Sequence, residues 1–366
     1  MAKLLSAGIQ GIQIAANHLA AGGVVGMPTE TVYGLAGVAF NEHALAKIFG
    51  VKERPTFDPL ILHIAPGWGS LSVLERMEII NPSALTPAAR ALTEKLIKKF
   101  WPGPLTLVLP KAAKVPDLAT SGLATTAIRM PKHPIAQDLI RAVGQPLAAP
   151  SANRFGRISP TSAQDVLDEL GDRIEFVING GPCEVGLEST IVSIDGDAGV
   201  RLLRPGGTPI SAIEAVTGSP LLRAEMTESL GHTTAGLQAP GTLLSHYAPR
   251  KNLFLLRGPI ARLSKSDFPA KILSARGIGL ILQSGTPHVA QDILKKLLPE
   301  INAWKIVSLS ESGSLEEAAQ RLFRIMRTLD QDEGVEVLLS EPCLEQKGLG
   351  HAISDRLKRA SHSTHN

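Results

Sequence analysis

Through the first 217 residues, apolar runs of three to five residues alternate with stretches whose apolar positions recur every three or four places. The runs fall at Gly23–Met27, Leu60–Ile64, Leu105–Leu109, Thr126–Met130, Leu147–Ala149, Phe176–Ile178, Thr190–Ile194 and Val200–Leu203, and predict strands. The periodic stretches near 9–20, 42–49, 86–99, 135–143, 162–170 and 210–216 predict helices between them. Thr161 and Gln164 have capping-box spacing ahead of Val166 and Leu167. The alternation predicts one α/β domain on a mixed sheet over residues 1–217.

Residues 218–249 change character, with scattered Gly, Pro, Ser and Thr. Such composition describes a passive linker by default. A linker has no need of the Pro240-Gly241 turn or of His246-Tyr247-Ala248-Pro249, so this one is expected to pack on something. Residues 250–346 return to strand–helix alternation. Strands are predicted at Leu253–Leu256, Ile278–Leu282, Lys305–Leu309 and Val335–Leu339, with two helices separating the last three. Leu315, Ala318, Ala319, Leu322, Met326 and Leu329 mark one helix's apolar face. A small Rossmann-like sandwich follows. Gly277-Ile278-Gly279 precedes a strand, so it is no dinucleotide fingerprint. Gly348-Leu349-Gly350 reads as a loop-to-helix turn, and 347–366 as a closing motif with a polar tail.

Composition adds little to this pattern: 44% hydrophobic and 19% charged residues suit a folded protein. No apolar run approaches the roughly 20 residues a membrane-spanning helix needs. Met1-Ala2-Lys3 opens no signal peptide, and the two cysteines, Cys183 and Cys343, lack metal-type spacing. A reducing cytoplasm is expected. The net charge of +3 invites a nucleic-acid reading, so its location decides. Residues 1–217 carry 19 cationic and 19 acidic side chains, which leaves 18 against 15 for the remainder. A domain living on phosphate contacts would show a basic surplus. Indiscriminate RNA binding is not supported; a local basic cleft and a weak tRNA contact are still admitted.

Walker A, kinase, zinc and Gly-x-Ser-x-Gly patterns are absent from the sequence. The chemistry-bearing residues instead gather where strands end. Thr29, Glu30 and Thr31 follow Gly23–Met27, at the carboxyl end where open sheets place ligands. Lys52 and Arg54 precede Pro55; alone they read as a solvated pair, but the strand that follows them, carrying His63, favours a site. A lone His such as His63 is more often structural. Arg129 lies inside an apolar run, where a cation needs an anion. Either a structural ion pair or a bidentate clamp on a ligand carboxylate satisfies it. Pro150–Thr161 gathers Ser151, Asn153 and Ser159 where a strand ends and a helix begins, a generic phosphate seat. Ser189-Thr190 enters one strand, and Arg204 leaves another before Pro205-Gly206-Gly207.

In order, Pro28–Leu35, Lys52–His63, Phe100–Leu105, Arg129–Pro134, Pro150–Thr161, Gly186–Val192 and Leu203–Gly206 resemble the YrdC-like threonylcarbamoyl-AMP synthases. His246–Pro249 and Gly348–Leu357 are similar to that family's longer, two-domain form. The resemblance implies a twisted mixed α/β sheet with helices, and a smaller Rossmann-like α/β domain behind it. It implies that L-threonine, bicarbonate and ATP give threonylcarbamoyl-adenylate and pyrophosphate, a nucleotidyl transfer. The product would feed the machinery that transfers threonylcarbamoyl to adenosine in tRNA. Carried to matching positions, Thr31, His63, Arg129, Ala149 and Ser189 would hold threonine. Arg54, Asp58, Thr125, Ser151, Asn153, Ser159, Arg204 and Tyr247 would contact ATP, with Lys52 and Arg54 as the catalytic cations at the phosphates. Mg²⁺ would arrive with ATP, without a protein metal site, and the linker would close over the mouth of the site and bring in Tyr247.

Two positions depart from the family: Asp58 stands where Asn or His is common, and Phe155 where Ser is usual. The rival reading is an RNA-binding module of the same shape that turns nothing over. The neutral balance of residues 1–217 counts against it. A carbamoyl-transfer maturation factor would add zinc-binding cysteine clusters, and two isolated cysteines do not supply them.

Overall fold

Strands that are buried on both faces need apolar residues at every position, and Val25–Met27, Gly34–Val38 and Leu147–Ala148 of the first unit's sheet are built that way. The computed structural model describes residues 1–194, 199–223, 246–301 and 303–362. They fall into two units. The first holds Met1–Phe155, Pro160–Glu184 and the described residues from Glu188 to Arg223; the second holds Gly156–Ser159, Val185–Leu187 and those from His246 to His362. Most of the expected linker, residues 224–245, lies outside the described residues.

Eleven strands form the first unit's sheet: β1 (Lys3–Leu5), β2 (Val25–Met27), β3 (Gly34–Val38), β4 (Ile61–His63), β5 (Leu105–Pro110), β6 (Thr125–Arg129), β7 (Leu147–Ala148), β8 (Phe176–Ile178), β9 (Thr190–Ile194), β10 (Val200–Arg204) and β11 (Leu222–Arg223). Their order across the sheet is β1-β8-β2-β3-β7-β4-β6-β5-β9-β10-β11. The sheet is mixed: β4 pairs β6 and β5 pairs β9 in parallel, while β2–β3, β3–β7, β4–β7 and β5–β6 are antiparallel. Every predicted strand is present. The sequence reading missed β1, β3 and β11; β3 escaped because its Gly-Leu-Ala-Gly-Val has neither alternation nor bulk, although all five residues are buried.

Helices cover the sheet where the 3.6-residue period placed them: Ile9–Ala20, Glu42–Lys52, Pro87–Phe100, Pro134–Val143, Ala163–Leu170 and Ile210–Thr217. One cap differs from expectation. Ser162, not Thr161, caps Ala163–Leu170, and Asp165, not Gln164, closes the capping box. The shift has a physical reason: Asp165 Oδ2 accepts from the backbone N–H of both Thr161 and Ser162, so the carboxylate outcompetes the amide next door.

The second unit has four parallel strands, β12 (Leu253–Leu255), β13 (Ile278–Ser284), β14 (Trp304–Ser310) and β15 (Val337–Ser340), in the order β12-β15-β13-β14. Pro287–Leu297 connects β13 to β14, and Leu315–Gln331 connects β14 to β15. The latter buries Ala318, Ala319, Leu322, Met326 and Leu329, as its apolar stripe requires. A further helix, Gly350–Ser361, starts at the predicted loop-to-helix turn. Among the described residues no helix is long and apolar enough to cross a membrane.

Candidate active site

The turn after β2 organises itself through hydroxyls. Pro28 ends the strand, and Thr29 Oγ1 accepts from the N–H groups of Thr31 (3.2 Å) and Val32 (3.3 Å) while donating to the Val32 carbonyl (2.6 Å). Thr31 Oγ1 lies 2.9 Å from Thr29 Oγ1 and accepts from Arg129 Nη1 at 2.8 Å. With the Thr29 proton committed to Val32, the Thr31 hydroxyl must donate to Thr29, giving a chain with one direction. Arg129 is also held by the Gly103 carbonyl, which accepts from Nε at 3.2 Å, and its Nη2 lies 2.7 Å from Glu30 Oε1. Gly103 belongs to the Phe100–Leu105 segment, which contains the cis Trp101–Pro102 bond. That segment is fixed by Gly103 N–H to the Met130 carbonyl and by Trp101 Nε1 to the Leu105 carbonyl.

Arg129 and Glu30 are 3% and 2% exposed, so each charge needs the other. Burial by itself would raise the Glu30 carboxyl, but the Arg129 guanidinium and backbone N–H groups outweigh it and hold the group below its ordinary value. Glu30 is the site residue that sequence reasoning placed at the strand end but gave no role. The signal was available: one acid in an otherwise uncharged stretch from Ala20 to Phe40 implies a buried partner.

His63, at the end of β4, is the register partner of Arg129 at the end of β6. Its Nδ1 donates to the Ile61 carbonyl at 3.1 Å. Burial, reinforced by the neighbouring Arg129, lowers its pKa to about 3, so the ring is neutral at physiological pH. Ala149 lies alongside, its N–H on the Ile61 carbonyl at 3.1 Å. Ser189 closes this group: its Oγ meets Thr106 Oγ1 at 2.7 Å, and Arg204 Nη2 donates to its carbonyl at 3.0 Å. Gly206 permits this contact, because a Cβ there would sit 2.3 Å from both the Glu188 oxygen and the Ser189 carbonyl carbon.

The residues assigned to ATP form a second group. Arg54 Nη2 contacts Asp58 Oδ2 at 2.9 Å and donates to the Pro59 carbonyl, also at 2.9 Å, while Nε reaches the Asp58 carbonyl at 3.1 Å. Burial raises the Asp58 carboxyl, with Arg54, Arg204 and Lys52 pulling against it in that order. Asp58 is therefore the common counter-charge of three cations. Lys52 is almost completely buried, and its ammonium donates to the carbonyls of Ser151 and Asn153. Burial first, and Arg54 second, push its pKa well down. Two of its three donors thus hold the Ser151–Asn153 loop. Ser151 bridges to Gly34, Asn153 Nδ2 donates to the Arg154 carbonyl, and Phe155 N–H binds the Lys52 carbonyl. Thr125 opens β6 and Arg129 ends it; at roughly 3.3 Å per residue they lie about 13 Å apart, on one face of the strand.

Ser159 and Tyr247 belong to the second unit. There, Ala248 N–H donates to the Gly156 carbonyl and Arg327 Nη2 to the Ile158 carbonyl, which fixes the Gly156–Ser159 segment. Tyr247, at φ 64°, is buried against Phe323 with the Arg356 guanidinium 5.0 Å from its ring centre. Gly186 lies against the helix Leu315–Gln331, where a Cβ would come within 2.6 Å of the Gln320 backbone. Pro240 and Gly241 of the expected closing linker lie outside the described residues.

Compared with known proteins, residues 17–206 match the Sua5/YciO/YrdC family model described as "Telomere recombination". Residues 209–362 match the model described as "Threonylcarbamoyl-AMP synthase, C-terminal domain". The chain belongs to the two-domain threonylcarbamoyl-AMP synthase family. Among its relatives is the threonylcarbamoyl-AMP synthase of Pyrococcus abyssi, 38% identical over 353 residues that cover 96% of this chain and 94% of that one. Another, from Bacillus subtilis, is 37% identical over 92% of this chain and 89% of its own. The crystal structure of P. abyssi Sua5 complexed with L-threonine is similar with a TM-score of 0.82 at 37% identity, covering 99% of this chain and 97% of that one. Membership in the family gives the two groups of residues a common frame. One clusters around Arg129, the other around Asp58, and Arg204 touches both through Ser189 and through its charge.

Proposed function

We propose that this chain makes threonylcarbamoyl-adenylate from L-threonine, bicarbonate and ATP, releasing pyrophosphate. The observation that carries the reading is the adjacency of two charged groups in one unit: Arg129 with Thr31, Glu30 and His63, and Arg54, Lys52 and Arg204 around Asp58. A relative carrying the name of this activity over nearly the whole chain supports it, as does a similar structure solved with L-threonine.

In this reading the threonine carboxylate takes the guanidinium of Arg129, with Thr31 and Ser189 as hydroxyl partners. The amine attacks bicarbonate, forming the N–C bond of a carbamate as water leaves. A carbamate oxygen then attacks the α-phosphorus of ATP; the new O–P bond forms as the bond to pyrophosphate breaks. Such a transfer asks for positioning and charge neutralisation, not a covalent nucleophile. Arg54, Arg204 and Lys52 supply positive charge, and Lys52 also fixes the Ser151–Asn153 loop that would line the phosphates. Neutral His63 can pack on threonine without repelling Arg129.

Among the described residues, no group of three or more His, Cys, Asp or Glu could hold a metal ion, and the buried carboxylates of Glu30 and Asp58 are each matched to an arginine. That donor set fits Mg²⁺ carried by the triphosphate and water, where the ion would neutralise phosphate charge. The product would serve as the activated donor for threonylcarbamoylation of tRNA adenosine. The deciding measurement is pyrophosphate release, expected to require L-threonine and bicarbonate together. Release from ATP at the same rate without either substrate would refute the reading.

A further inference from the structure

The second unit contains a cavity of about 370 Å³ at the carboxyl ends of its parallel strands. The chain leaves β13 for Pro287–Leu297, which packs on the face of Ile278, Leu280 and Leu282, with Ala290 and Leu294 in that core. From β15, beside β13 in the sheet, it proceeds to Gly350–Ser361, which packs against β12 and against Leu315–Gln331. Leu329 of Leu315–Gln331 lies over Gly279, on the opposite face. Neighbouring strands whose connections leave to opposite faces open a crevice at their carboxyl ends, and that is where such sheets take ligands.

The lining fits one kind of ligand. Leu282, Ile260, Val289, Ile293, Leu315 and Leu344 supply apolar walls. Glu341, the residue directly after β15, lines the cavity and is 6% exposed. Its Oε1 accepts the Ile260 N–H at 2.8 Å and its Oε2 the Gln283 N–H at 3.0 Å. A carboxylate has about four acceptor positions, so each oxygen keeps one in hand. An acid at a strand end in this place is what a ribose diol engages. None of the described residues lining the cavity is Lys, Arg or His, and Glu345 adds a second carboxylate. A polyphosphate would therefore meet two carboxylates and no cationic side chain, and the volume is at the small end of ligand pockets.

We propose that this cavity is a second binding site, for a nucleoside without phosphates, with the ring between the apolar walls and the ribose diol on Glu341. The site is separate from the reaction assigned to the first unit. No cationic side chain among the described residues of its walls would offset the charge of a triphosphate.

The test uses the full chain with ATP and Mg²⁺ in excess, so that a nucleotide site in the first unit is filled. Adenosine binding is followed by titration calorimetry and by saturation-transfer NMR. One equivalent of adenosine is expected to bind under these conditions, and 2′,3′-dideoxyadenosine at least about ten-fold more weakly, the value of hydrogen bonds to a charged group. Glu341→Gln should weaken adenosine by a similar factor. Val289→Trp, at a position 59% exposed and hence tolerant of the change, should block the cavity. Pyrophosphate release should be retained by Val289→Trp, which separates a failure here from a failure of the proposed reaction. Absence of adenosine binding in the presence of ATP would overturn the proposal. So would equal binding of the dideoxy compound, or binding untouched by Val289→Trp.

Discussion

Arg54 and Asp58 form a buried ion pair four residues apart, Nη2 to Oδ2 at 2.9 Å, at the centre of the cationic group. Asp58 lies in the field of Arg204 and Lys52 as well as Arg54. Removing one partner of a buried pair costs about 3–5 kcal/mol because the other charge is stranded. A triphosphate can take over that partnership. Asp58→Asn is therefore expected to lower the melting temperature of the free protein and to show a larger stabilisation by ATP than the parent. Thermal unfolding with and without ATP reads both effects; a smaller ATP-induced rise in the variant would refute the counter-charge role.

Arg129 donates to Thr31 and contacts Glu30, which leaves its geometry fixed before any substrate arrives. A planar fork binds a carboxylate through two donors, and an ammonium cannot reproduce it. Arg129→Lys should raise the KM for threonine by about 10–100-fold, equivalent to roughly 1.4–2.8 kcal/mol. The KM for ATP should change by no more than about 2–3-fold, within the scatter expected of an indirect effect. Steady-state pyrophosphate release at varied threonine and varied ATP separates the two. Equal increases would sink the clamp.

Most strands and helices of both units were legible, because burial forces apolar runs and amphipathic stripes into the sequence. Arg129 was legible for the same reason: a cation in such a run demands an explanation. Its resolution was not, since the sequence admitted a structural ion pair or a ligand clamp, and the fold supplies Glu30 for the first while aiming Arg129 at Thr31. β3 was hidden because close packing selects small residues there; a Cβ on Gly34 would stand 3.0 Å from that of Ala149. Lys52 was expected at the phosphates, yet it is tied to two carbonyls about a hundred residues away in sequence, a contact that only the tertiary fold creates.

His63 gives the site a pH signature. Its pKa falls from 6.5 to about 3 on folding, chiefly by burial. Between those values the unfolded chain binds a proton that the folded chain refuses, so stability rises with pH across the window and is lost as pH falls below about 6.5. The slope approaches about 1.4 kcal/mol per pH unit for one proton. His63→Gln removes this contribution. The expected outcome is a shallower decline of stability between pH 6.5 and 4 in the variant, measured by denaturant unfolding at a series of pH values. Parallel curves for parent and variant would show that His63 does not titrate this way.

Gly206 and Gly50 should respond to alanine with opposite signs. At Gly206 an added Cβ would sit 2.3 Å from the Glu188 oxygen, so the Glu188–Ser189 backbone must move. Overpacking of this kind costs about 1–3 kcal/mol. The same backbone carries the carbonyl that Arg204 binds and the hydroxyl that meets Thr106, so the displacement reaches both groups of the site. Gly206→Ala is thus expected to lower stability and to raise the KM values of threonine and ATP together, unlike Arg129→Lys. Gly50 lies within the helix Glu42–Lys52 with nothing inside 4 Å of a Cβ, and there alanine should stabilise by about 0.5–1 kcal/mol through helix propensity alone. Denaturant unfolding of both variants, with pyrophosphate kinetics on Gly206→Ala, checks the contrast. A Gly206→Ala protein as stable and as active as the parent would show that the Glu188–Ser189 turn yields freely and does not hold the site's geometry.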